Sequence, residues 1–322
     1  MERYQRQMML PEIGVVGQQK LARARVLVAG AGGLAATLLP QLTGAGIGQL
    51  CLYDDDQVAL HNLHRQTLFT LQDVGRSKAV AAQQALQQRN PEVQIEAVPE
   101  ALSASNIAQA LTGCDLVIDA ADNFAVTYQL SDACFQAGIP LISASVLGRQ
   151  GYAGGFCGGA PSYRALFPQL PASAANCNTA GVMGPAVAAL GAMQAQMALS
   201  VLLGLQPSPL GCMVNCDFVS WHFRSFRFDA AQEPAQPGVP FIDAHLLQPG
   251  DCIVELRSCE EAPASVADRV ERVLPHELDA WQPPADRRIV LVCASGIRAA
   301  QAASALAQRG FNQLAILAAR RP

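Results

Sequence analysis

The stretch ARVLVAGAGGLAATLLPQLTGAGIGQLCLYDDD, residues 24–56, carries the strongest fold signal of this chain. Its apolar run over residues 24–30 ends in glycines and is typical of a buried parallel strand. Residues 34–43 favour a helix, although Pro40 lies late in it, and residues 49–53 favour a second strand. A strand, a glycine-rich turn, a helix and a strand in this order predict a βαβ unit.

The same alternation continues along the chain. Residues 77–89 are rich in Ala and Gln and favour a helix that ends at Asn90-Pro91. Further strands are expected over residues 94–98, 116–120 and 140–145. Strands that alternate with helices predict a Rossmann-like α/β fold with a doubly wound, mostly parallel sheet.

Two domains joined by a linker are expected. The first pattern occupies residues 1–228. Residues 229–242 form the predicted linker, since residues 229–240 are rich in Pro, Gln and Ala. A smaller α/β pattern fills residues 243–322.

Composition narrows the class of function. The chain of 322 residues is 51% apolar and 15% charged, with a net charge of -4. Nucleic acid is therefore a poor partner, because phosphate binding needs clustered Lys and Arg. The N-terminus lacks the apolar core of a signal peptide, so we expect a cytoplasmic enzyme with reduced cysteines. The apolar residues 182–205 could span a bilayer by length, but Gly, Pro and Gln interrupt them, which favours a buried helix and no membrane partner.

A nucleotide site is expected where the first strand ends. Gly30, Gly32 and Gly33 open a helix, where backbone N–H groups can approach phosphate oxygens. Asp54 ends the second strand and can accept hydrogen bonds from ribose hydroxyls. These residues alone would equally suit an NAD-dependent oxidoreductase, which stays open as an alternative at this point.

Further polar residues favour a triphosphate. Arg65 and Lys78 would place two cations over the phosphates. Dehydrogenases hold the pyrophosphate of a dinucleotide with backbone groups and seldom need two such cations. Asp122 follows another predicted strand, at the carboxyl edge where ligands bind in open α/β sheets. A carboxylate there can hold Mg²⁺. Taken alone, each of these three residues would be interpreted as a solvated surface charge. Together, at these three positions, they favour a functional site.

A set of motifs resembles the MoeB/ThiF adenylyltransferase family, bacterial relatives of the ubiquitin-activating enzymes, over about residues 1–225. The motifs are RYxRQ (Arg3, Tyr4, Arg6, Gln7), GxGG (Gly30, Gly32, Gly33), DxD (Asp54, Asp56), NLxRQ (Asn62 to Gln66), GxxK (Gly75 to Lys78) and ADN (Ala121 to Asn123).

The resemblance implies adenylation, by ATP and Mg²⁺, of the C-terminal Gly-Gly carboxylate of a ubiquitin-like sulfur-carrier protein. The carrier would be of the molybdopterin-synthase small-subunit type or the ThiS type. It also implies a homodimer in which Arg6 reaches the neighbouring subunit's ATP site. The implied nucleotide-binding residues are Gly30, Gly32, Gly33, Asp54, Asp56, Asn62, Arg65, Gln66, Lys78 and Asp122.

The chain departs from the family pattern at the zinc ligands. The family carries two CxxC pairs, the first in a CYRCLF-like context, and the matching residues 162–167 here read SYRALF. The second pair, expected after Arg227, is missing as well. Zinc needs about four ligands, and Cys212 with Cys216 supply two, so no structural zinc site is predicted.

A second departure concerns the ADN motif. Thr127 replaces an arginine that is common five residues after the family aspartate, which places the local geometry in question. These losses keep open a divergent paralogue that binds a carrier or nucleotide with little turnover.

Two cysteines are candidates for sulfur chemistry. Cys177 lies in NCNTAGV, which matches a family segment whose cysteine in some members links covalently to the activated carrier; a small buried residue is the alternative. Cys293 opens CASGIRA, which resembles the rhodanese loop, in which backbone N–H groups and Arg298 would stabilise a persulfide. The alternative for this degenerate C-terminal domain is a remnant that only packs.

Overall fold

The computed structural model describes residues 2–170 and 181–319 of the chain. Its strands form two sheets. The first has eight strands in the order β3-β2-β1-β4-β5-β6-β7-β8, and the second has five in the order β11-β10-β12-β13-β9. The protein is therefore α/β in both parts, with the smaller sheet built from the C-terminal residues.

The first part alternates strands and helices as far as β5. Its strands are β1 (Arg25–Ala29), β2 (Gln49–Tyr53), β3 (Gln94–Val98), β4 (Leu116–Asp119), β5 (Pro140–Leu147), β6 (Gln150–Cys157), β7 (Cys212–Asp217) and β8 (His222–Arg227). Its helices are α1 (Gln5–Met8), α2 (Gly14–Leu21), α3 (Gly33–Ala45), α4 (Lys78–Arg89), α5 (Ile107–Ala110), α6 (Phe124–Ala137), α7 (Tyr163–Leu166) and α8 (Gly184–Leu203).

The second part is a small parallel sheet with one long helix. It comprises β9 (Phe241–Ile242), β10 (Cys252–Glu255), β11 (Glu271–Arg272), β12 (Ile289–Cys293), α9 (Ile297–Gln308) and β13 (Leu314–Ala318). Short 3-10 helices lie at Glu2–Tyr4, Leu60–Asn62, Leu71–Asp73, Ala244–Leu246 and Pro275–Glu277.

Half of the first sheet matches the doubly wound pattern, and the other half extends it. The strand pairs from β3 to β5 are parallel, with the order reversing between β1 and β4. The pairs from β5 to β8 are antiparallel. The sequence did not predict β6–β8, because β6 is rich in glycine, which weakens strand patterning, and every residue of β8 is exposed.

Helix α8 is the apolar segment that the sequence placed in the core. Within the described part of the chain it is the helix long and apolar enough to cross a membrane, and half of its most apolar window is buried. It packs on α3, β5 and β6. The contact with α3 is so close that a Cβ on Gly191 would lie 2.3 Å from the Leu34 carbonyl oxygen.

Side chains alternate between the two faces of the first sheet and form two apolar clusters. Val26 and Val28 point to the face covered by α3, α4 and α8, while Leu27 and Ala29 point to the face covered by α5 and α6. The second cluster runs on into the C-terminal sheet through Phe241. The two sheets therefore share one apolar core on this side.

The predicted linker needs one correction. Phe241–Ile242 pair with Ile316 and Leu317 as the edge strand of the second sheet, so the connecting segment ends before residue 241. Phe241 is 5% exposed. Its burial against the first part explains why this end of the segment is a strand.

The close helix contact yields a stability prediction. Gly191→Ala should lower the free energy of unfolding by about 1–3 kcal/mol, because the new methyl group forces α8 away from the Leu34 carbonyl. Gly44→Ala, on α3 with open space around it, is the matched control and should be neutral or stabilising by up to about 1 kcal/mol. Urea denaturation of both variants measures the difference, and equal effects would contradict the contact.

Candidate functional site

A cavity of about 480 Å³ opens where β1, β2 and β4 end at the carboxyl edge of the first sheet. This is the point at which the strand order reverses, where open α/β sheets bind ligands. The cavity brings together nine of the residues singled out from the sequence, namely Gly30, Gly32, Asp54, Asp56, Asn62, Arg65, Gln66, Lys78 and Asp122.

Two glycines of the loop at the cavity pack closely against neighbouring elements. Gly30 has φ +96°, and a Cβ there would lie 2.8 Å from the Ala120 carbonyl oxygen. Gly33 begins α3 and is not among the lining residues; a Cβ on it would lie 2.7 Å from Val187 of α8. The glycine loop therefore sits directly against β4 and α8, which leaves its open side to a ligand.

Asp54 holds the glycine loop in place. Its carboxylate accepts hydrogen bonds from the Ala31 N–H at 2.7 Å and from the Asp56 N–H at 2.9 Å. Burial raises the pKa of this carboxyl, while the Ala31 hydrogen bond and the charge of Lys78 oppose the rise. Asp54 thus lines the cavity and also fixes the glycine loop.

Lys78 is a buried cation with a counter-ion. It is the first residue of α4, it is 6% exposed, and its Nζ donates to Asp56 at 2.8 Å. Asp56 itself is largely exposed. The second cation, Arg65, lies with its Cγ 3.4 Å from the position that a Cβ on Gly33 would take. Arg65 therefore borders the glycine loop, and both cations line the cavity.

Buried polar groups suggest that the cavity is built for a ligand. Gln66 is 3% exposed, and its Oε1 has no hydrogen-bond partner among the described residues. A buried acceptor without a partner is costly unless a ligand or water satisfies it. Together with the glycine loop and the cations Arg65 and Lys78, which line the same cavity, Gln66 gives a set of donors and acceptors that fits a nucleoside triphosphate.

Asp122 lies in the loop between β4 and α6. The loop ends at Asn123, whose side chain caps α6 by accepting a hydrogen bond from the Ala125 N–H at 2.9 Å. Asp122 is exposed at the cavity rim. The one carboxylate that the sequence assigned to Mg²⁺ therefore faces the cavity at the edge expected for it.

The sequence reasoning missed Asp119, the last residue of β4. Its side chain is fully buried and accepts hydrogen bonds from Thr127 at 2.7 Å, from Ser143 at 2.8 Å and from the Ala121 N–H at 3.2 Å. A carboxylate inside an otherwise apolar strand, LVID, was the signal that could have identified it. Thr127, which replaces the family arginine, thus binds this carboxylate through its hydroxyl group.

Burial raises the pKa of Asp119 to about 6. The hydrogen bonds from Thr127, Ser143 and Ala121 lower it, and the charge of Asp122 raises it further. With threonine in place of the arginine, hydrogen bonds alone stabilise the ionised form from that position.

Hydrogen bonds join the segments that the family ties with zinc. Ser162 donates to Glu233 through its N–H at 2.7 Å and its Oγ at 2.5 Å. In residues 2–170 and 181–319 no group of three or more His, Cys, Asp or Glu side chains could hold a metal ion. The absence of structural zinc stays a prediction.

The roles predicted for Arg6 and Cys177 stay predictions. Arg6 is exposed on α1, where its guanidinium approaches the Met9 sulfur at 3.9 Å, and it is not among the residues that line the cavity. Cys177 lies outside the described residues. Neither role is tested by the fold of a single chain.

Cys293 ends β12 and is fully buried. The Ala299 N–H donates to its sulfur at 3.3 Å. Arg298, which the sequence assigned to the sulfur, donates instead to Glu261 through Nη1 at 2.9 Å and also through Nη2. The pairing has a physical reason, because a carboxylate is a stronger acceptor for a guanidinium than a thiol. Arg298 still interacts electrostatically with Cys293, and its role beside a persulfide stays a prediction.

Comparison with known proteins identifies relatives of the first part. The ThiF family matches residues 4–238. The chain is 40% identical over 232 residues to a sulfur carrier protein adenylyltransferase of Thermus thermophilus, across 70% of this chain and 86% of that protein. It is 40% identical over 234 residues to the sulfur carrier protein ThiS adenylyltransferase of Escherichia coli, across 71% and 92%.

A third relative is longer. The chain is 42% identical over 231 residues to the adenylyltransferase and sulfurtransferase MOCS3 of Drosophila grimshawi, across 70% of this chain and 51% of that protein. Among solved structures, Escherichia coli MccB in complex with MccA-N7isoASN is similar, with a TM-score of 0.62 and 21% identity over 72% of this chain and 73% of that one. At this identity the likeness concerns the fold alone.

The raised pKa of Asp119 predicts a pH dependence of stability. Between about pH 4 and pH 6 the folded chain binds a proton at Asp119 that the unfolded chain has released, so stability falls as pH rises through this range, by roughly 3 kcal/mol in total. Asp119→Asn should remove this slope. Denaturation curves without nucleotide or Mg²⁺ measure it, with the exposed Asp279→Asn as control, and a variant curve parallel to the wild type would contradict the assignment.

Proposed function

This chain belongs to the ThiF family, and we propose that it is an ATP-dependent adenylyltransferase that activates the C-terminal carboxylate of a ubiquitin-like sulfur-carrier protein. The observation that carries the proposal is the convergence of the glycine loop, Asp54, Arg65, Lys78 and Asp122 on one cavity. Relatives named as sulfur carrier protein adenylyltransferases support the class of substrate.

The reaction follows from this arrangement. A carboxylate oxygen of the carrier attacks the α-phosphorus of ATP, the bond to the β-phosphate oxygen breaks, and pyrophosphate leaves. Negative charge grows on the leaving pyrophosphate, so Arg65 and Lys78 stabilise the transition state more than the ground state. The protein contributes position and charge, and no side chain needs to form a covalent bond at this step.

Asp122 would hold the Mg²⁺ that accompanies ATP, and such a cation neutralises charge on the phosphates. Lys78 can turn from Asp56 towards a phosphate with little rearrangement, since its Nζ already lies at the cavity wall. Asp54 accepts hydrogen bonds from ribose while its other lone pairs keep the glycine loop in place.

A second cavity offers a route for the carrier tail. It has a volume of about 580 Å³ and lies on the antiparallel half of the first sheet. Ser145, Tyr152, Asn215 and Arg224 are cross-strand neighbours in one row beneath it. Ser143, which binds Asp119, lies two residues before Ser145 on the same face of β5. An extended polar tail laid along this face would lead to the nucleotide cavity.

The assembly that we propose is a homodimer. Met9, Leu10, Val15 and Val16 are exposed apolar side chains near the N-terminus, close in sequence to Arg6. A second copy packed there would cover them and would bring Arg6 towards the partner's nucleotide. The carrier would be of the molybdopterin-synthase small-subunit type or the ThiS type, and it would end in Gly-Gly.

Sulfur transfer after adenylation is the proposed role of the C-terminal, rhodanese-like domain. The Cys293 thiolate would attack the outer sulfur of thiosulfate, the S–S bond would break, and sulfite would leave a persulfide on Cys293. Cys177 would serve as the resolving nucleophile. Because Cys293 is fully buried, its loop must open for this reaction.

Exchange of pyrophosphate into ATP, measured with candidate carriers, tests the adenylation step. Lys78→Ala, Arg65→Ala and Asp122→Ala should each lower the exchange rate by at least about 100-fold. The first two remove a cation that stabilises the phosphates, and the third removes the carboxylate that would hold Mg²⁺. Arg23→Ala, which removes an exposed arginine outside the cavity, is the control and should exchange normally.

The outcomes of this assay separate the alternatives. Binding of ATP without exchange, with every candidate carrier, would favour a divergent paralogue that binds without turnover. Stabilisation by NAD in a thermal-shift assay, without stabilisation by ATP, would favour the oxidoreductase. Normal exchange in the Asp122 variant would overturn the Mg²⁺ assignment alone.

Cys293 is tested by a different readout. Cys293→Ser should keep pyrophosphate exchange but lose the mass gain of about one sulfur atom that thiosulfate treatment produces on the wild-type peptide. Cys259→Ser, which removes an exposed thiol, is the control and should keep both the pyrophosphate exchange and the mass gain on the Cys293 peptide. Wild-type protein that gains no sulfur on Cys293 would show that the domain only packs.

A further inference from the structure

The segment between the two sheets contacts the first part of the chain at Glu233 and at Gly238. We name residues 229–240 the strap. Glu233 of the strap accepts hydrogen bonds from both the N–H and the Oγ of Ser162, which caps α7. Although its composition is that of a linker, the strap is therefore fixed near its middle.

The strap is also seated on a buried guanidinium. Arg164 is 8% exposed, and it donates to both carboxylate oxygens of Asp132 on α6, at 2.6 Å and 2.8 Å. A Cβ on Gly238 of the strap would lie 2.1 Å from Arg164 Nη1. Because Asp132 holds the Arg164 guanidinium, the guanidinium cannot move away from the strap without breaking both hydrogen bonds.

Beyond the strap, the second sheet makes further contacts with α6. The ring of Phe241 lies 6.2 Å from that of Tyr128 on α6. The same Tyr128 ring is contacted from within the first part by the Arg164 guanidinium, at 4.8 Å. In the loop after Cys293, a Cβ on Gly296 would lie 2.9 Å from Phe241 and 3.7 Å from Ala125 in the first turn of α6. Helix α6 is thus held from outside at both its start and its middle.

The start of the same helix belongs to the nucleotide cavity. Asp122 and Asn123 immediately precede α6, and Val126 in its first turn also lines the cavity. From inside, Thr127 fixes the helix to Asp119. A helix moves as a rigid rod, so the contacts on its outer side also set the position of the loop that carries Asp122.

We propose that the second domain is a positioning element of the nucleotide site: seated by the strap on Ser162 and Arg164, it fixes α6 and with it the Asp122–Asn123 loop. The proposal rests on the proposed adenylation at this cavity. It makes Gly238 and Glu233 positioning residues, although neither lines the cavity. It also gives the C-terminal domain a role in the first reaction step that does not depend on the reactivity of Cys293.

Gly238→Ala in the full chain tests this directly. Its methyl group should lift the strap from Arg164, tilt α6, raise the KM for Mg·ATP and lower kcat of pyrophosphate exchange by between about tenfold and 100-fold, since a displacement of about 1 Å can have the larger effect. Gly250→Ala adds the same methyl group in open space in the second domain and should match the wild type. Assays run well below the melting temperature exclude simple loss of fold.

Glu233→Ala is the second variant, since Gly238→Ala could fail to fold. It releases Ser162 without adding bulk and should speed cleavage of the strap by proteinase K and slow exchange at least about threefold, the effect of losing about 0.7 kcal/mol of positioning. Glu260→Ala, an exposed glutamate of the second domain, is its control. Faster strap cleavage with unchanged KM and kcat would overturn the proposal.

The dissociation constant for Mg·ATP, measured by calorimetry, keeps this test separate from the proposed function. If the wild type binds Mg·ATP but exchanges no pyrophosphate with any carrier, adenylation fails, and a weaker Mg·ATP affinity in Gly238→Ala still supports positioning. Equal affinities in Gly238→Ala, Gly250→Ala and the wild type would overturn positioning whatever the wild type catalyses.

Discussion

The nucleotide cavity depends on the close approach of two strand ends. At the end of β1, Gly30 lies so near the Ala120 carbonyl that a side chain would clash at 2.8 Å. This contact brings the glycine loop and the loop that carries Asp122 to opposite sides of one opening. The opening lies where the strand order reverses: β2 and β3 follow on one side of β1, and β4 lies on its other side. The helices that follow β1 and β4 cover opposite faces of the sheet, which leaves a gap between their starts. The charged residues add chemistry to an opening that backbone packing has already formed.

The parallel half of the fold and most of the cavity could be predicted from the sequence, because both follow from local patterns. Buried strands read as apolar runs, and Gly30, Asp54 and Asp122 stand at the ends of such runs. The antiparallel strands could not be predicted in the same way, since β8 is exposed and β6 is rich in glycine. Asp119 is bound by Ser143, which lies 24 positions further along the chain, and Ser162 is bound to Glu233, 71 positions further along. No local sequence pattern contains contacts over such separations.

The departures from the family pattern share one chemical theme. Where the family arginine is replaced by Thr127, a hydroxyl group binds the buried carboxylate of Asp119. Where the zinc ligands are missing, Ser162 and Glu233 bring the same two segments together. Hydrogen bonds are more directional but weaker than a charge or a metal. Precise packing, by the aromatic rings around Tyr163 for example, therefore matters more here.

The ion pair between Lys78 and Asp56 gives a buried cation of the nucleotide cavity a negatively charged partner. A lone ammonium at 6% exposure would be poorly solvated, whereas Asp56 holds Lys78 in place by a hydrogen bond. The side chain of Asp56 is 67% exposed, so water can solvate it as soon as a phosphate takes its place. Asp56 thus occupies the binding position on Lys78 that a phosphate group of the nucleotide would take. Nucleotide binding would exchange one negatively charged partner of Lys78 for another.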